Sequence, residues 1–319
     1  MRVLVTGATG FVGRHLCPLL AEQGHVVTAA VRVVPEQAVQ GVGPIVQVGE
    51  ISPDTDWQDA LSAQDVVIHM AARTHVMNES GPESEALYEQ INVGGTAALA
   101  KAAASAGVRR LIFLSSVKAL GESSGETPLT EETGAAPEDA YGRTKREAEK
   151  ELLRIAETTG LEAVILRPPL IYGPGVKGNL LSLFRACDKG LPLPLRQIHN
   201  RRTLVYLGNL TDAILQCLDH PGAGNEIFLV SDGEAVSTPD LIRHICQNLG
   251  RSSRLLPFPV WCLHLAGKIL GKSDAINRLT GSLEVSNAKI CKQLDWTPPF
   301  NMIQGFERTA EWYLNQKSR

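Results

Sequence analysis

The 319-residue sequence predicts an α/β fold, with a doubly wound parallel sheet in the N-terminal half and a smaller lobe built from the C-terminal half. Three observations lead there. Short runs of consecutive apolar, often β-branched residues recur at 2–6, 25–32, 45–48, 66–70, 111–115 and 163–167. Runs of this kind mark strands covered by helices on both faces, which leaves no side for polar residues. Helix-compatible stretches lie between them, and strand–helix repetition at this spacing points to a parallel sheet. A glycine-rich turn directly follows the first run, where a strand hands over to a helix.

In chain order, RVLVT is the first strand, GATGFVG the turn and HLCPLLAEQG the start of a helix. HVVTAAVR is the second strand. Residues 83–106 and 141–159 read as long helices beside the later strands. Beyond residue 170 the pattern loosens. Proline and glycine punctuate IYGPGVKGN and DKGLPLPL, as expected of loops around a cleft. Residues 209–219 and 238–249 are predicted helices, the latter with Ser237 and Thr238 as candidate caps and Pro239 in its first turn. TPPF precedes a terminal helix at 303–316. The expected division is 1–170 for the sheet domain and 171–319 for the second lobe, with a segment near 203–235 as the candidate to return to the sheet. The apolar stretch 255–270, LLPFPVWCLHLAGKIL, is expected to be a buried or dimer-facing helix, with peripheral membrane contact the second reading. Two early prolines, a His and a Lys argue against a span, which needs roughly 18–20 apolar residues.

Composition removes whole classes of function. Thirty-one basic and 34 acidic residues give a net charge of -3, and no long basic run exists. Nucleic-acid binding therefore lacks an electrostatic basis. The cysteines at 17, 187, 217, 246, 262 and 291 form no CxxC pair, and a chain of this size needs no disulfide staples, so reduced thiols are expected. The eight histidines are scattered, no metal cluster is apparent, and His69 at a strand end reads as structural. Residue 1 leads straight into RVLVTGATG without a signal-peptide pattern, which makes a cytoplasmic protein the expectation.

Two motifs carry chemistry. Gly7, Gly10 and Gly13 sit after a strand and at a helix start, where glycine permits a tight turn and lets a dinucleotide diphosphate approach unsatisfied helix N–H groups. This makes the sheet Rossmann-type. A carboxylate for the adenosine ribose is expected about 20 residues after the glycines. The chain offers Val31-Arg32-Val33 there, with Glu36 the first nearby acid. Arg32 suits the extra phosphate of NADP(H), which is favoured over NAD(H); the alternative leaves Arg32 in solvent and brings Glu36 back to the ribose. In the second motif, Tyr141 and Lys145 are four residues apart on one helical face. A lysine ammonium there would lower the phenol pKa and fit Tyr141 to exchange a proton with a carbinol or carbonyl oxygen. Ser116, just after the strand LIFLS, could donate to the same oxygen.

Taken in order, TGATGFVG at 6–13, HMAAR at 69–73, Asn92, LSS at 114–116, YGRTK at 141–145 and RPPLIYGPG at 167–175 resemble the extended short-chain dehydrogenase/reductase family. The resemblance is narrower to its NAD-dependent epimerase/dehydratase branch, which works on nucleotide sugars. It implies hydride transfer between a nicotinamide and a sugar carbon, with Tyr141 as acid/base, Lys145 as its electrostatic partner and Ser116 as orienter. The family places its Ser/Thr five residues before the glycine of a VYG-like triplet; Gly121 in ALG selects Ser116 over Ser115. The likeness also implies cofactor contacts from Thr9, Phe11 and Val12 beside the three glycines, and from Arg32, Glu50, Ile51, Ala71, Ala72, Arg73, Asn92, Pro168 and Ile171. Substrate contacts are implied at Asn179, Arg202 and Arg278, the arginines gripping the diphosphate of a UDP-sugar.

Dehydratase relatives carry an Asp-Glu pair after the Ser/Thr. Here Val117-Lys118 stands instead, which turns the expectation away from water elimination. The runs NLLSLF, DKGLPLPL, NRRTLVYLGNLTDAI and FLVSDGE look like bacterial surface-polysaccharide enzymes described as UDP-N-acetylquinovosamine-forming 4-reductases, often labelled UDP-glucose 4-epimerases. A 4-ketoreductase of a UDP-4-keto-6-deoxy-N-acetylhexosamine is the main expectation. A UDP-sugar 4-epimerase is the alternative. A small-alcohol dehydrogenase and a non-catalytic dinucleotide-binding scaffold stay open behind these two. The resemblance further implies a homodimer built on helices such as the one carrying Tyr141.

Overall fold

Arg2–Thr6 (β1) is an inner strand, third of seven, in a sheet whose every pairing is parallel. The computed structural model describes residues 1–74 and 81–317. On one side of β1 run Val26–Val31 (β2) and Ile45–Gln47 (β3). On the other run Val66–His69 (β4), Arg110–Leu114 (β5), Glu162–Arg167 (β6) and, from far along the chain, Glu226–Leu229 (β9). The strand order β3-β2-β1-β4-β5-β6-β9 reverses direction between β1 and β4. That reversal opens a crevice at the carboxyl ends of the strands, where doubly wound sheets bind ligands.

Helices fill both faces because both faces are apolar. Gly13–Glu22 (α1) and Leu207–Gln216 (α7) pack Leu16, Leu20, Leu210 and Ile214 against Val3, Val5, Ile112 and Leu166. The opposite face buries Leu4, Val67, Leu111 and Phe113 under the short Gln58–Leu61 (α2), Gly95–Ser105 (α4) and Ala140–Thr158 (α5).

The helix predicted over 83–106 is not continuous. Pro82–Tyr88 (α3) passes through a wide π-type turn at Glu89–Gly94 before α4 begins. A Cβ on Gly94 or Gly95 would overlap the Pro53 and Ile51 side chains, so this junction can press close to the loop after β3. The wide turn rotates Asn92 into the interior, and such turns recur at functional sites.

The second lobe has its own core. A small sheet of Leu170–Tyr172 (β7), Arg202–Tyr206 (β8) and Ala235–Val236 (β10) packs with Gly178–Asp188 (α6), Thr238–Asn248 (α8) and Met302–Lys317 (α12). Ser237 caps α8, accepting from the Asp240 N–H, and Pro239 occupies the first turn. Asn301 and Gln304 exchange reciprocal hydrogen bonds that start α12. Ala288–Gln293 (α11) packs against β9, with Ile290 in the core of the large sheet. Val260–Ile269 (α9) and Ser273–Thr280 (α10) form a hairpin. Here the expectation of a buried helix fails: α9 buries only Leu263 and Gly267, because α10 covers one side and no described element covers the other. No helix among the described residues is long and apolar enough to cross a membrane.

Candidate active site

The crevice is built first from glycine. Gly7 turns the chain out of β1 at φ +77°, a left-handed conformation that costs a residue without Cβ little. Its Cβ position lies 3.0 Å from the Ala71 nitrogen, so the turns after β1 and β4 touch backbone to backbone. A Cβ at Gly13 would overlap the Gly7 carbonyl oxygen. α1 opens without a side-chain cap and without an acid in its first turn, which leaves its dipole for an anion, while the Gly10 and Arg14 N–H groups already donate to the Gly7 and Gly10 carbonyls. Thr9 and Gly10 are exposed there, Phe11 is half-buried against Gly175 of the following loop, and Val12 is buried. This cradle fits a dinucleotide diphosphate.

Thr6 ties the two turns together. Its hydroxyl accepts from the Met70 and Ala71 N–H groups at 3.2 and 3.1 Å and pairs with His69 Nδ1 at 2.7 Å. His69 Nε2 meets Thr96, and the ring stacks on Phe113. Burial, with Lys145 nearby, pushes this imidazole down to about 3, so it is a neutral structural link. Ala71, Ala72 and Arg73 continue from β4, half-buried. Asn92 clamps them, accepting from the Arg73 N–H at 2.8 Å and donating to its carbonyl at 3.0 Å. Its amide also reaches Thr144 on α5. Asn92 therefore fixes the Arg73 backbone where the chain leaves β4.

At the outer end of the crevice Arg32 does not stand alone. Its guanidinium lies 3.4 Å from the Glu50 carboxylate, both side chains exposed. Glu50, which follows β3, supplies the acid that β2 lacks, whereas Glu36 lies exposed in the loop after β2. Ile51 turns inward against Gly95 of α4.

The reacting end gathers on β5, α5 and the turn after β6. Ser116 begins a short turn at Val117–Ala119, accepting from the Lys118 N–H at 3.2 Å, and the Val117 N–H donates to Pro168 O at 3.0 Å. Pro168 is thereby fixed beside Ser116, and Ile171 follows half-buried on β7. Asp139 caps α5 by accepting from the Gly142 N–H at 2.7 Å. A Cβ on Gly142 would strike the Lys118 carbonyl, so glycine lets α5 dock on the Ser116 turn. That docking brings Tyr141 into hydrogen-bond contact with Ser116, while Ser115 points away.

Lys145 is buried beneath them, donating to Leu114 O at 2.8 Å over the Phe113 ring. Burial pushes its ammonium down to about 7, against an opposing pull from Glu149. The sequence expectation that Lys145 lowers the Tyr141 phenol is corrected here. Burial and the Asp139 carboxylate push that phenol above its ordinary range, and the opposing influence is the Ser116 hydroxyl. Lys145 directs its hydrogen bond to the β5 carbonyl instead.

Below Lys145 lies a group that the motifs did not reveal. Glu149, one turn further along α5, accepts from Ser115 at 2.5 Å, from Arg167 at 2.8 and 2.6 Å and from Arg146 at 3.2 Å. Glu149 and Arg167 have no solvent exposure. Their sequence signal was weak: two charged residues placed on apolar, inward-facing positions.

In the second lobe, Arg202 at the start of β8 donates to the Arg278 and Gly281 carbonyls at 2.8 and 3.1 Å. Glu122 faces it and also accepts from Lys118 at 2.9 Å, so Arg202 and the Ser116 turn share one charge network. Arg278 is exposed on α10, its guanidinium close enough to disfavour charge on Arg202. Asn179 is exposed at the start of α6 and has no polar contact recorded with this cluster.

A Rossmann-type sheet with Ser116, Tyr141 and Lys145 at the carboxyl ends of its strands defines an enzyme of the short-chain dehydrogenase/reductase class. Within that class, the chain belongs to the NAD dependent epimerase/dehydratase family, whose model matches residues 3–231. It is 43% identical to a UDP-glucose 4-epimerase of Vibrio cholerae over 99% of this chain and 97% of that protein. Two solved structures share its fold. One is a UDP-glucose 4-epimerase of Thermotoga maritima with UDP-glucose, at TM-score 0.79 and 22% identity, covering 99% of this chain and 100% of the other. The second is a UDP-glucuronic acid 4-epimerase of Bacillus cereus in complex with NAD, at TM-score 0.79 and 20% identity, covering 99% of both chains.

Proposed function

We propose that the chain is a nucleotide-sugar 4-epimerase that inverts C4 of a UDP-hexose or UDP-N-acetylhexosamine while keeping its NAD. The observation that carries this reading is the near-full-length likeness to the Vibrio cholerae epimerase. The Arg32–Glu50 pair supports the cofactor half. A carboxylate beside Arg32 offers an acceptor to ribose hydroxyls and would repel the extra phosphate of NADP.

The roles follow from the geometry. The N–H groups around Gly7, Thr9, Gly10, Phe11, Val12 and Gly13 hold the diphosphate, with Arg32 and Glu50 at the adenosine ribose. Ala71, Ala72, Arg73, Pro168 and Ile171 line the path to the nicotinamide. NAD supplies a reversible hydride acceptor at C4. Tyr141, as phenolate, takes the C4 hydroxyl proton while the C4–H pair leaves, giving a 4-keto sugar. It returns the proton to oxygen once hydride has been delivered to the opposite face, so neither electrons nor protons are consumed overall. Ser116 donates to the same oxygen, where charge develops. Burial opposes the phenolate form of Tyr141, and the Ser116 hydroxyl favours it. Arg202 grips the UDP diphosphate, with Asn179 and Arg278 at its rim.

Arg32 also favours a second reading, the 4-ketoreductase, because β2 carries no carboxylate of its own. The deciding experiment incubates the enzyme with UDP-glucose, UDP-N-acetylglucosamine and the UDP-4-keto-6-deoxy sugar, each with NADH or NADPH. Inversion at C4 without net cofactor consumption, by protein purified with bound NAD, is the expected result. NADPH oxidation with the keto sugar alone would replace this proposal by the reductase.

A further inference from the structure

We propose that the α9–α10 hairpin is a docking face for an anionic lipid bilayer, lying on the membrane without crossing it. Trp261, Leu265 and Ile269 follow one another at four-residue intervals along α9, on a single face, with 69, 52 and 75% of their surfaces exposed. Leu270 at the end of α9, and Leu256 and Phe258 on the segment leading into it, are exposed as well. Among the described residues these six make up six of the fifteen exposed large apolar side chains, gathered within 15 positions. Scattered exposure of this kind is ordinary, whereas a contiguous patch calls for a partner. The other side of α9 is already used: Leu263 enters the core of the lobe, and a Cβ on Gly267 would crowd Ile276 of α10.

Charge decides which partner fits. Residues 251–272 contain Arg251, Arg254, Lys268 and Lys272 and no acid, in a chain whose net charge is -3. Arg251 pairs with Asp188, while Arg254, Lys268 and Lys272 are exposed around the apolar face; Asp274 is the first acid beyond it. A second copy of the chain meeting this face would bring a second basic rim to the first, with no acid between residues 251 and 272 to pair with it. Anionic headgroups complement the same rim, and Trp, Leu and Ile enter the boundary between headgroups and acyl chains. At ten residues α9 is about 15 Å long, half the roughly 30 Å of a bilayer core, so it lies in the interface plane.

The test is sedimentation of the full chain with vesicles of pure phosphatidylcholine and of phosphatidylcholine mixed with phosphatidylglycerol, at low and high salt. Binding to the mixed vesicles, weakened roughly tenfold by high salt or by removal of the anionic lipid, is expected. Trp261→Ser with Ile269→Ser should weaken that binding at least about tenfold at an unchanged melting temperature, because both side chains are exposed in the free chain. Lys268→Glu with Lys272→Glu should abolish the salt-sensitive part and serves as an independent reading should the apolar variant misfold. Absence of binding to either vesicle overturns the proposal. So does equal binding by the well-folded apolar variant, or a wild-type dimer that this variant splits while no vesicle is bound.

Discussion

Replacing Tyr141 by Phe removes a single oxygen from a ring whose packing against the Ser116 turn it leaves in place. General acid–base catalysis by such a group contributes about 10²–10⁴-fold, so kcat should fall by that factor. UDP affinity, measured by calorimetry, should stay near that of the parent; a variant retaining parental kcat would remove Tyr141 from the chemistry. Lys145 makes a different prediction, in stability. Its folded pKa is pushed down to about 7 from 10.5, so between those values the unfolded chain binds more protons than the folded one. Stability from this site therefore rises with pH across that window, and the cost of the buried ammonium is complete below about pH 7. At about 1.4 kcal/mol per unit the cost has a ceiling near 5 kcal/mol, offset in a variant by the lost bond to Leu114. Lys145→Met should consequently melt higher than the parent at pH 6, by about 1–4 kcal/mol, with the gain shrinking by pH 9, while turnover is lost. A difference independent of pH would show that the ammonium is not the source of strain.

Elements transmit these residue effects, and β5, β6 and α5 are held under the site by a buried ion pair. Glu149→Gln would leave the Arg167 guanidinium enclosed without a countercharge, which costs about 3–5 kcal/mol. Replacing both partners, Glu149→Leu with Arg167→Met, removes the charges together and should cost distinctly less in denaturant midpoints. Equal losses would mean that packing, not charge, dominates this junction. None of this was legible in YGRTK or RPPLIYG, because motif spacing reports neighbours along one helix or loop. Glu149 and Arg167 meet across two elements, and their identities are common on any surface. The glycine turn was legible for the opposite reason: Gly7, Gly10 and Gly13 stand at close spacing between a strand and a helix start, a pattern that the sequence states directly. The break at Glu89–Gly94 was hidden since the alanine-rich Gly95–Ser105 and the Glu-containing Pro82–Tyr88 both suit helix, and the exposure of α9 was hidden since its residues are apolar on nearly every side. Arg32, expected at the extra phosphate of NADP, stands beside Glu50, which follows the next strand, and only the parallel pairing of β2 with β3 brings the two together.

At the scale of the whole molecule, the two lobes do not divide where a nucleotide-binding half and a substrate half would be cut. β9, from Glu226–Leu229, completes the large sheet by pairing with β6, and α7 covers the face that carries Val3, Val5, Ile112 and Leu166. Residues 1–170 alone would expose the β6 edge and lose the contacts that Leu210, Ala213, Ile214, Cys217 and Phe228 make in that core. An open strand edge beside an uncovered apolar face is a template for aggregation. The fragment 1–170 should therefore be aggregated, or bind a hydrophobic dye with little near-ultraviolet dichroism. The full chain should unfold in one calorimetric transition whose van't Hoff and calorimetric enthalpies agree. Two separated transitions would show instead that the C-terminal lobe, with its own core around Tyr172, Phe184 and Phe306, folds independently. Coupling of the two cores has a consequence for the site. Phe11 of the glycine turn packs with both of them, so loosening the second lobe should also loosen the diphosphate cradle. Bound NAD should accordingly raise the melting temperature of the whole chain and leave its transition single.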